Sequence, residues 1–350
     1  MGNVAAHLRQ QMQMPHIRRP RDAGGVLPAE RQENGYARGM VMDSQVDRPL
    51  DHILQRVRCQ PTPSPDAMIC MIVARNEELR LPDCLRHHRK LGVDRFVIVD
   101  NDSSDGTSSY LRQQPDVDLW STRNSYGESG FGGWWYYSLA EQYGFGRWYL
   151  LIDADELLVY PDMENRGLRD VARRLTELGV YAMRAPMIDM YPDKPLDSIE
   201  YRAGDSLIEA CPFFDGDSYY IIQSQKGRTL MRGGPRQRLL STEERPFTVS
   251  LEKFPFRFWV DGTPFRHHAS PFPTLRTPPI GALLHFKFLD DLGSRIDAAV
   301  SEGEHWNGAA EYIRYKEKYE ALRSPFYEGS ARYEGPDSLV RRGIIARFPW

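Results

Sequence analysis

The sequence predicts an α/β fold, a mainly parallel sheet flanked by helices, and three observations predict it. Short apolar runs of strand length (Met68 to Val73, Phe96 to Val99, Trp148 to Ile152) are continuous rather than alternating, as expected of strands buried on both faces. Segments with helical spacing separate them, so the strands are joined by crossovers and run parallel. Three of the runs close on polar or acidic residues, Arg75-Asn76, Asp100-Asn101 and Asp153. In such sheets ligands sit beyond the carboxyl ends of the strands.

Taken in order, residues 1–64 are rich in Arg, Gln, Gly and Pro and end in Pro61-Thr62-Pro63-Ser64-Pro65. They show no sustained helical or strand period, which predicts a flexible N-terminal extension with a short helix from Asp51 to Val57. Order begins at Ala67 with the first strand and the turn Ala74-Arg75-Asn76-Glu77. Pro82 suits a first helical turn, Leu81, Cys84, Leu85, His88 and Leu91 fall at helical spacing, and Gly92 ends that helix. Ser103 or Ser104 caps the helix through Tyr110 and Leu111. A third strand from Val117 to Trp120, a helix over 132–143, the fourth strand, a helix from Leu168 to Leu178 and a strand from Val180 to Arg184 follow. Residues 190–275 are richer in Pro, aromatics and Gly, and their strand signals are weaker. Ala282 to Phe288 reads as one more buried strand, carrying His285. Helices over 289–301 and 308–322 close the domain at 65–325, leaving 326–350 as a C-terminal tail.

Of the 350 residues, 41% are hydrophobic and 27% charged, so a sizeable core is within reach. The formal net charge of -3 argues against nucleic-acid partners, which need a basic surface. The four cysteines (Cys59, Cys70, Cys84, Cys211) have no CxxC spacing and read as free thiols of a reducing compartment. No apolar stretch has the length of a signal-peptide core or a spanning helix. The expectation is a cytoplasmic protein without a transmembrane segment, with peripheral contact at the inner face of a membrane left open.

Residues two apart along an extended strand end point the same way, so Asp153 and Asp155 can face one pocket with the small Ala154 between them. One or two carboxylates completed by water and phosphate are what Mg2+ or Mn2+ takes. Such an ion would neutralise a departing diphosphate. Glu156 points the other way and orders the next turn. A solvated acidic turn is the plainer reading of the same residues. Asp100-Asn101-Asp102-Ser103-Ser104-Asp105-Gly106-Thr107 suits either an acidic helix cap or a nucleoside site. Arg75, with Asn76 beside it, offers a phosphate or base contact, or else a surface ion pair with Glu77 or Glu78. Arg236, Arg238 and Lys287 can hold phosphate oxygens, although Arg238 fits surface charge better. Trp134, Trp135 and Tyr136 suit either a stacking wall for a sugar ring or the packing of a helix. His267-His268 fit an acceptor site or an exposed turn equally.

The runs Ile72-Val73-Ala74-Arg75-Asn76-Glu77, Ile98-Val99-Asp100-Asn101-Asp102-Ser103-Ser104-Asp105-Gly106-Thr107 and Leu151-Ile152-Asp153-Ala154-Asp155-Glu156 resemble, in order and spacing, the family 2 glycosyltransferases of GT-A fold. The likeness is closest to the bacterial branch reading ARNE, VDNxSxDGT and DADE. Gly233-Gly234-Pro235-Arg236-Gln237-Arg238, Lys253-Phe254-Pro255 and Leu284-His285-Phe286-Lys287 extend it to about residue 320. The resemblance implies a Rossmann-like GT-A sheet with a nucleotide-sugar half (65–185) and an acceptor half (186–325). It implies metal-dependent, inverting transfer of a sugar from a UDP- or GDP-sugar to a hydroxyl of a glycan, lipid-linked or protein acceptor. Arg75, Asp100 and Asn101 then fall on nucleoside-binding positions, Asp153 and Asp155 on the metal motif, and His285 on a further metal or diphosphate contact. Asn101 departs from the second Asp of many members, which changes donor and acceptor preference and leaves the nucleotide open.

Inversion requires a carboxylate that takes the acceptor's proton. Asp189, directly after a predicted strand, leads, Asp215 is second, and Glu243-Glu244 lie in a variable loop. Each also suits a turn cap. Nucleotidyl transfer would need a Gly-rich loop with a Lys after the first strand, which Ala74-Arg75-Asn76-Glu77 does not offer. A non-catalytic nucleotide-sugar or carbohydrate-binding protein of transferase descent is the alternative, and the intact Asp153/Asp155 pair argues against it.

Overall fold

A computed structural model of the chain describes residues 54–223, 229–260, 278–303 and 306–350. In chain order the first part comprises β1 (Gln55–Arg58), β2 (Ile69–Ala74), α1 (Leu81–Lys90), β3 (Arg95–Asp100), α2 (Thr107–Arg112), β4 (Val117–Ser121), α3 (Gly133–Tyr143), β5 (Arg147–Leu151), β6 (Glu156–Val159) and α4 (Leu168–Glu177). There follow β7 (Met187–Asp189), α5 (Leu207–Ala210), β8 (Phe213–Asp215), β9 (Tyr220–Gln223), β10 (Thr229–Arg232), α6 (Gly234–Leu240), β11 (Phe256–Trp259) and β12 (Ala282–His285). The chain closes with α7 (Leu292–Glu302), α8 (Trp306–Glu317), α9 (Tyr319–Leu322), β13 (Ser330–Arg332) and α10 (Pro336–Arg341).

The central sheet has the order β1-β4-β3-β2-β5-β11. Its four inner strands are parallel and its two edge strands antiparallel. This is the mainly parallel, helix-flanked sheet that the apolar runs predict. Alternate residues divide the core between the two faces, as strand geometry requires. Cys70, Ile72, Phe96 and Ile98 pack with Leu81, Cys84 and Leu85 of α1, Leu111 of α2 and Val171 and Leu175 of α4. Ile69, Met71, Val97 and Val99 pack instead with Trp135, Tyr136 and Leu139 of α3.

A second, three-stranded sheet, β6-β12-β7, lies at the end of β5. β12 runs antiparallel to β6 and parallel to β7, so His285 has Glu156 and Asp189 as its register partners on either side. Phe286 N–H donates to the Asp155 carbonyl at 2.9 Å, which ties the acidic motif to the strand carrying His285.

Three expectations change. The helix expected from Asp51 to Val57 is, over its described part, the edge strand β1, paired antiparallel with β4; residues 1–53 lie outside the described residues. Val180 to Arg184 is extended but forms only an isolated bridge, Ala182 to Arg257. The N-cap of α2 is Gly106, which offers no side chain, and neither Ser103 nor Ser104 caps the helix; Asp105 Oδ1 accepts the first helical N–H, that of Thr107, at 2.9 Å. The C-terminal tail, 326–350, is docked on the domain: β13 pairs with β8, and Leu339, Ile344 and Ile345 are buried. The two expected halves also interlock, because β11 completes the central sheet beside β5.

Candidate active site

Beyond the carboxyl ends of β2, β3 and β5 lies a cavity of about 290 Å³. Its floor carries Arg75 and Asn76 after β2, Asn101 after β3, and Asp153, Ala154 and Asp155 after β5. β12 delivers His285 and Lys287, and one face of α7 closes the far side with Arg295, Ala298, Ala299 and Glu302.

The loops after β2 and β3 hold each other. Asn76, at a φ of 55°, accepts Ser104 N–H on its Oδ1 at 2.8 Å, and Ser103 Oγ accepts Asn76 N–H at 3.0 Å. Thr107 Oγ1 accepts the N–H of Glu77 at 2.8 Å. Asp100 accepts Ser103 N–H at 3.0 Å, a turn-forming bond, and sits beneath the cavity rather than on its lining. Asn101 donates its amide hydrogens to the carbonyls of Thr122 (3.3 Å) and Asn124 (3.0 Å), so its Oδ1 is the group left for a ligand.

α7 is pinned over the cavity by arginines. Arg80, fully buried at the start of α1, donates to both Asp291 oxygens at 2.6 Å and to the Phe286 carbonyl at 3.0 Å. Arg295 forms a two-pronged pair with Glu77 at 2.7 and 3.0 Å. Such planar fork contacts fix direction as well as distance. Arg75 pairs with Glu302 at 3.1 Å, rather than with Glu77 or Glu78. Lys287 Nζ lies 3.4 Å from Tyr312 Oη and 4.8 Å from the centre of its ring.

The two acids of the motif meet different partners. Asp155 Oδ2 is 3.4 Å from His285 Nε2. Asp153 Oδ2 is 3.0 Å from Lys253 Nζ, which also lies 2.8 Å from Glu156 Oε1. Glu156 is turned away, as expected, and its Oε2 accepts Asp153 N–H at 3.1 Å. Burial works against the charge on Asp155, but His285 and Arg295 more than offset it and hold the carboxyl far below its usual range. Two carboxylates and an imidazole are suitable donors for Mn2+ or Mg2+ with water and phosphate completing the shell. Among the described residues no three acidic, histidine or cysteine groups converge as a ready-made cage. Asp155 and His285 are the pair that does converge, so the residues fit an ion whose remaining ligands come from a substrate.

Asp189 and Asp215 stand elsewhere. Asp189 is 1% exposed and off the cavity lining, with Oδ1 2.6 Å from His285 Nδ1 and Oδ2 2.8 Å from Arg236 Nε. Both oxygens are engaged, and although burial opposes its charge, Arg236 and His285 hold its pKa at about 2. Asp215, fully buried, is tied to Arg238 at 2.9 Å and to Tyr191 Oη at 2.8 Å. Neither is placed to meet an acceptor hydroxyl. Arg236 is 4% exposed and spends its guanidinium on Asp189 and Glu311, which removes it from phosphate binding. Arg238 is consumed by Asp215 rather than by solvent. Trp135 and Tyr136 are core residues, Tyr136 Oη accepting Val73 N–H at 3.2 Å. Glu243 and Glu244 are exposed in a loop after α6, and His267-His268 lie outside the described residues.

Arg295, Glu302, Tyr126 and Tyr312 also line the cavity and were not legible as site residues. One signal existed: Arg295, Ala298, Ala299 and Glu302 recur at helical spacing beside the apolar stripe Leu292, Ile296 and Ala299.

No family model matches the chain, and no curated protein matches it. Among solved structures it is similar to a mannosyltransferase from Pyrobaculum calidifontis in complex with GDP-Man and Mn2+, at 20% identity and a TM-score of 0.26. That match covers 38% of this chain and 39% of the other. A 4-diphosphocytidyl-2C-methyl-D-erythritol synthase is 19% identical over 39% of this chain and 67% of its own, with a TM-score of 0.26. HddC from Yersinia pseudotuberculosis is 10% identical over 64% and 79%, again at 0.26. Scores this low leave function to be argued from the site itself. No helix among the described residues is long and apolar enough to cross a membrane.

Proposed function

We propose that this chain is a metal-dependent glycosyltransferase that moves a sugar from a nucleoside-diphosphate donor to an acceptor hydroxyl. The observation that carries the reading is the convergence, in one cavity at the strand ends, of Asp155 and His285 with Arg75, Asn101 and Lys287. Asp155 and His285 would hold the ion, with Asp153 beside them. When bound, a divalent ion supplies neutralisation of the charge that develops on the departing diphosphate. Arg75 and Lys287 would take phosphate oxygens, Arg75 by exchanging Glu302 for the ligand. Asn101 offers an acceptor to the base or ribose. In the transfer the acceptor oxygen would bond to the anomeric carbon as the bond to the diphosphate breaks, its hydroxyl proton passing to water or to the departing diphosphate. Inversion follows from the resemblance. Asp189 is read as the group that orients His285, in the manner of carboxylates behind metal-bound imidazoles, rather than as the base.

The test is calorimetric titration of UDP- and GDP-sugars with and without Mn2+, followed by a donor-hydrolysis screen. The reading requires Mn2+-dependent binding that disappears in Asp155→Ala with the circular dichroism spectrum unchanged. Binding without hydrolysis or transfer would favour the non-catalytic alternative. Absence of nucleotide binding with any metal would overturn both.

A further inference from the structure

We propose that Lys253 is an internal counter-cation for Asp153, and that it makes the cavity take up a divalent ion together with a diphosphate rather than alone. The inference rests on the metal–diphosphate reading above and concerns how that site is loaded. Lys253 enters from the loop before β11, at a sequence separation of 100 from Asp153. Its Nζ stands 3.0 Å from Asp153 Oδ2 and 2.8 Å from Glu156 Oε1, and the residue is 7% exposed. Glu156 is fully buried and returns to the motif by accepting Asp153 N–H. Ammonium, two carboxylates and the motif's own backbone therefore close a ring.

That ring is held from outside as well. The Lys253 carbonyl accepts Ala185 N–H at 3.0 Å, the preceding Glu252 is locked to Arg184 at 2.6 Å, and the following Phe254 is fully buried. These contacts hold the backbone at Lys253 within reach of Asp153, and the side chain is held by its pairs with Asp153 and Glu156. An ammonium at contact distance from a carboxylate oxygen raises the cost of bringing a divalent ion to the same oxygen. A diphosphate supplies the negative charge that offsets both cations and repairs the balance. Asp155 pairs instead with the imidazole of His285, which can serve as a ligand itself. The two acids of the motif thus have unequal partners, an ammonium at Asp153 and an imidazole at Asp155.

The experiment follows Mn2+ binding by the electron paramagnetic resonance of the free ion, with and without GDP or UDP, in the full chain and in Lys253→Met and Lys253→Arg. The wild type is expected to bind Mn2+ at least about tenfold more tightly with the diphosphate present. Lys253→Met is expected to tighten binding without nucleotide by about tenfold and to shrink the enhancement, whereas Lys253→Arg keeps the wild-type pattern. Equal wild-type affinity in both conditions overturns the proposal, as does a folded Lys253→Met with unchanged or weaker affinity. If Lys253→Met does not fold, Lys253→Gln, whose amide can still donate to Glu156, takes its place, and the wild-type comparison decides independently. No Mn2+ binding by the wild type in either condition would instead remove the metal reading itself.

Discussion

His285 Nδ1 lies 2.6 Å from Asp189 Oδ1, and the same carboxylate holds Arg236 Nε at 2.8 Å with its other oxygen. All three side chains are buried, and the pairing follows from the register that sets His285 opposite Asp189. Removing the carboxylate leaves Arg236 with Glu311 as its remaining carboxylate partner. Asp189→Ala should lower unfolding free energy by about 3–5 kcal/mol in urea titration. Asp189→Asn keeps an acceptor for the imidazole and should cost less. Equal costs for the two would argue against a charge-based role.

The same cluster sets a pH profile. Burial opposes protonation of His285, but Asp155 and Asp189 more than offset it, raising its pKa above the usual 6.5. A raised folded value means stability that is full below 6.5 and lost as pH climbs through the folded pKa. Asp189, held at about 2 against a usual 3.8, contributes stability above 3.8 that disappears as pH falls towards 2. Melting temperatures of metal-free protein should therefore peak between these limits, and His285→Gln should flatten the alkaline limb and also weaken the acid one, because His285 helps to hold Asp189 down.

Gly233 sits at φ 108° and ψ -152°, a region closed to side chains, and a Cβ there would lie 2.2 Å from the Ser218 carbonyl oxygen. Gly233→Ala should cost at least about 1–3 kcal/mol in denaturant midpoint measurements. Gly303, at φ 65° with nothing within 4 Å, is the control. Its alanine variant should cost about 1 kcal/mol or less.

Asp215 anchors the C-terminal segment through Arg238, which donates to the Pro325 carbonyl at 2.7 Å and lies 3.8 Å over the Tyr327 ring. Asp215→Ala should expose the stretch around residues 323–332 to limited proteolysis, cleaved faster than in the wild type. The partly buried guanidinium deprived of its fully buried carboxylate partner should lower stability by roughly 1–3 kcal/mol. An unchanged cleavage pattern would show that β13 holds its place without the ion pair.

The central strands and the helices α1, α3 and α4 were legible because both faces of each strand are apolar and each helix carries a buried stripe. β1 was not: Gln55–Arg58 is polar and partly exposed, and only its pairing with β4 makes it a strand. The acidic motif could be read because strand alternation places Asp153 and Asp155 locally. Lys253, Arg295 and Glu302 could not, since a lone charge in a loop or on a helix reads as solvated until a distant carboxylate or arginine is brought to it. Asp189 could be read as following a strand, but the arginines that engage Asp189 and Asp215 are 47 and 23 residues away in sequence.

Arg75 and Glu302 meet across 227 residues, and Glu77 and Arg295 across 218. Closing such loops comes late, because their entropy is lost before the contacts they permit are gained. A nascent chain that has emerged only as far as β11 already contains the parallel strands and both acids of the motif, but neither His285 nor the helix facing them. The proposed ion and phosphate site is therefore assembled only when β12 and α7 dock, so binding there would report that these long loops have closed.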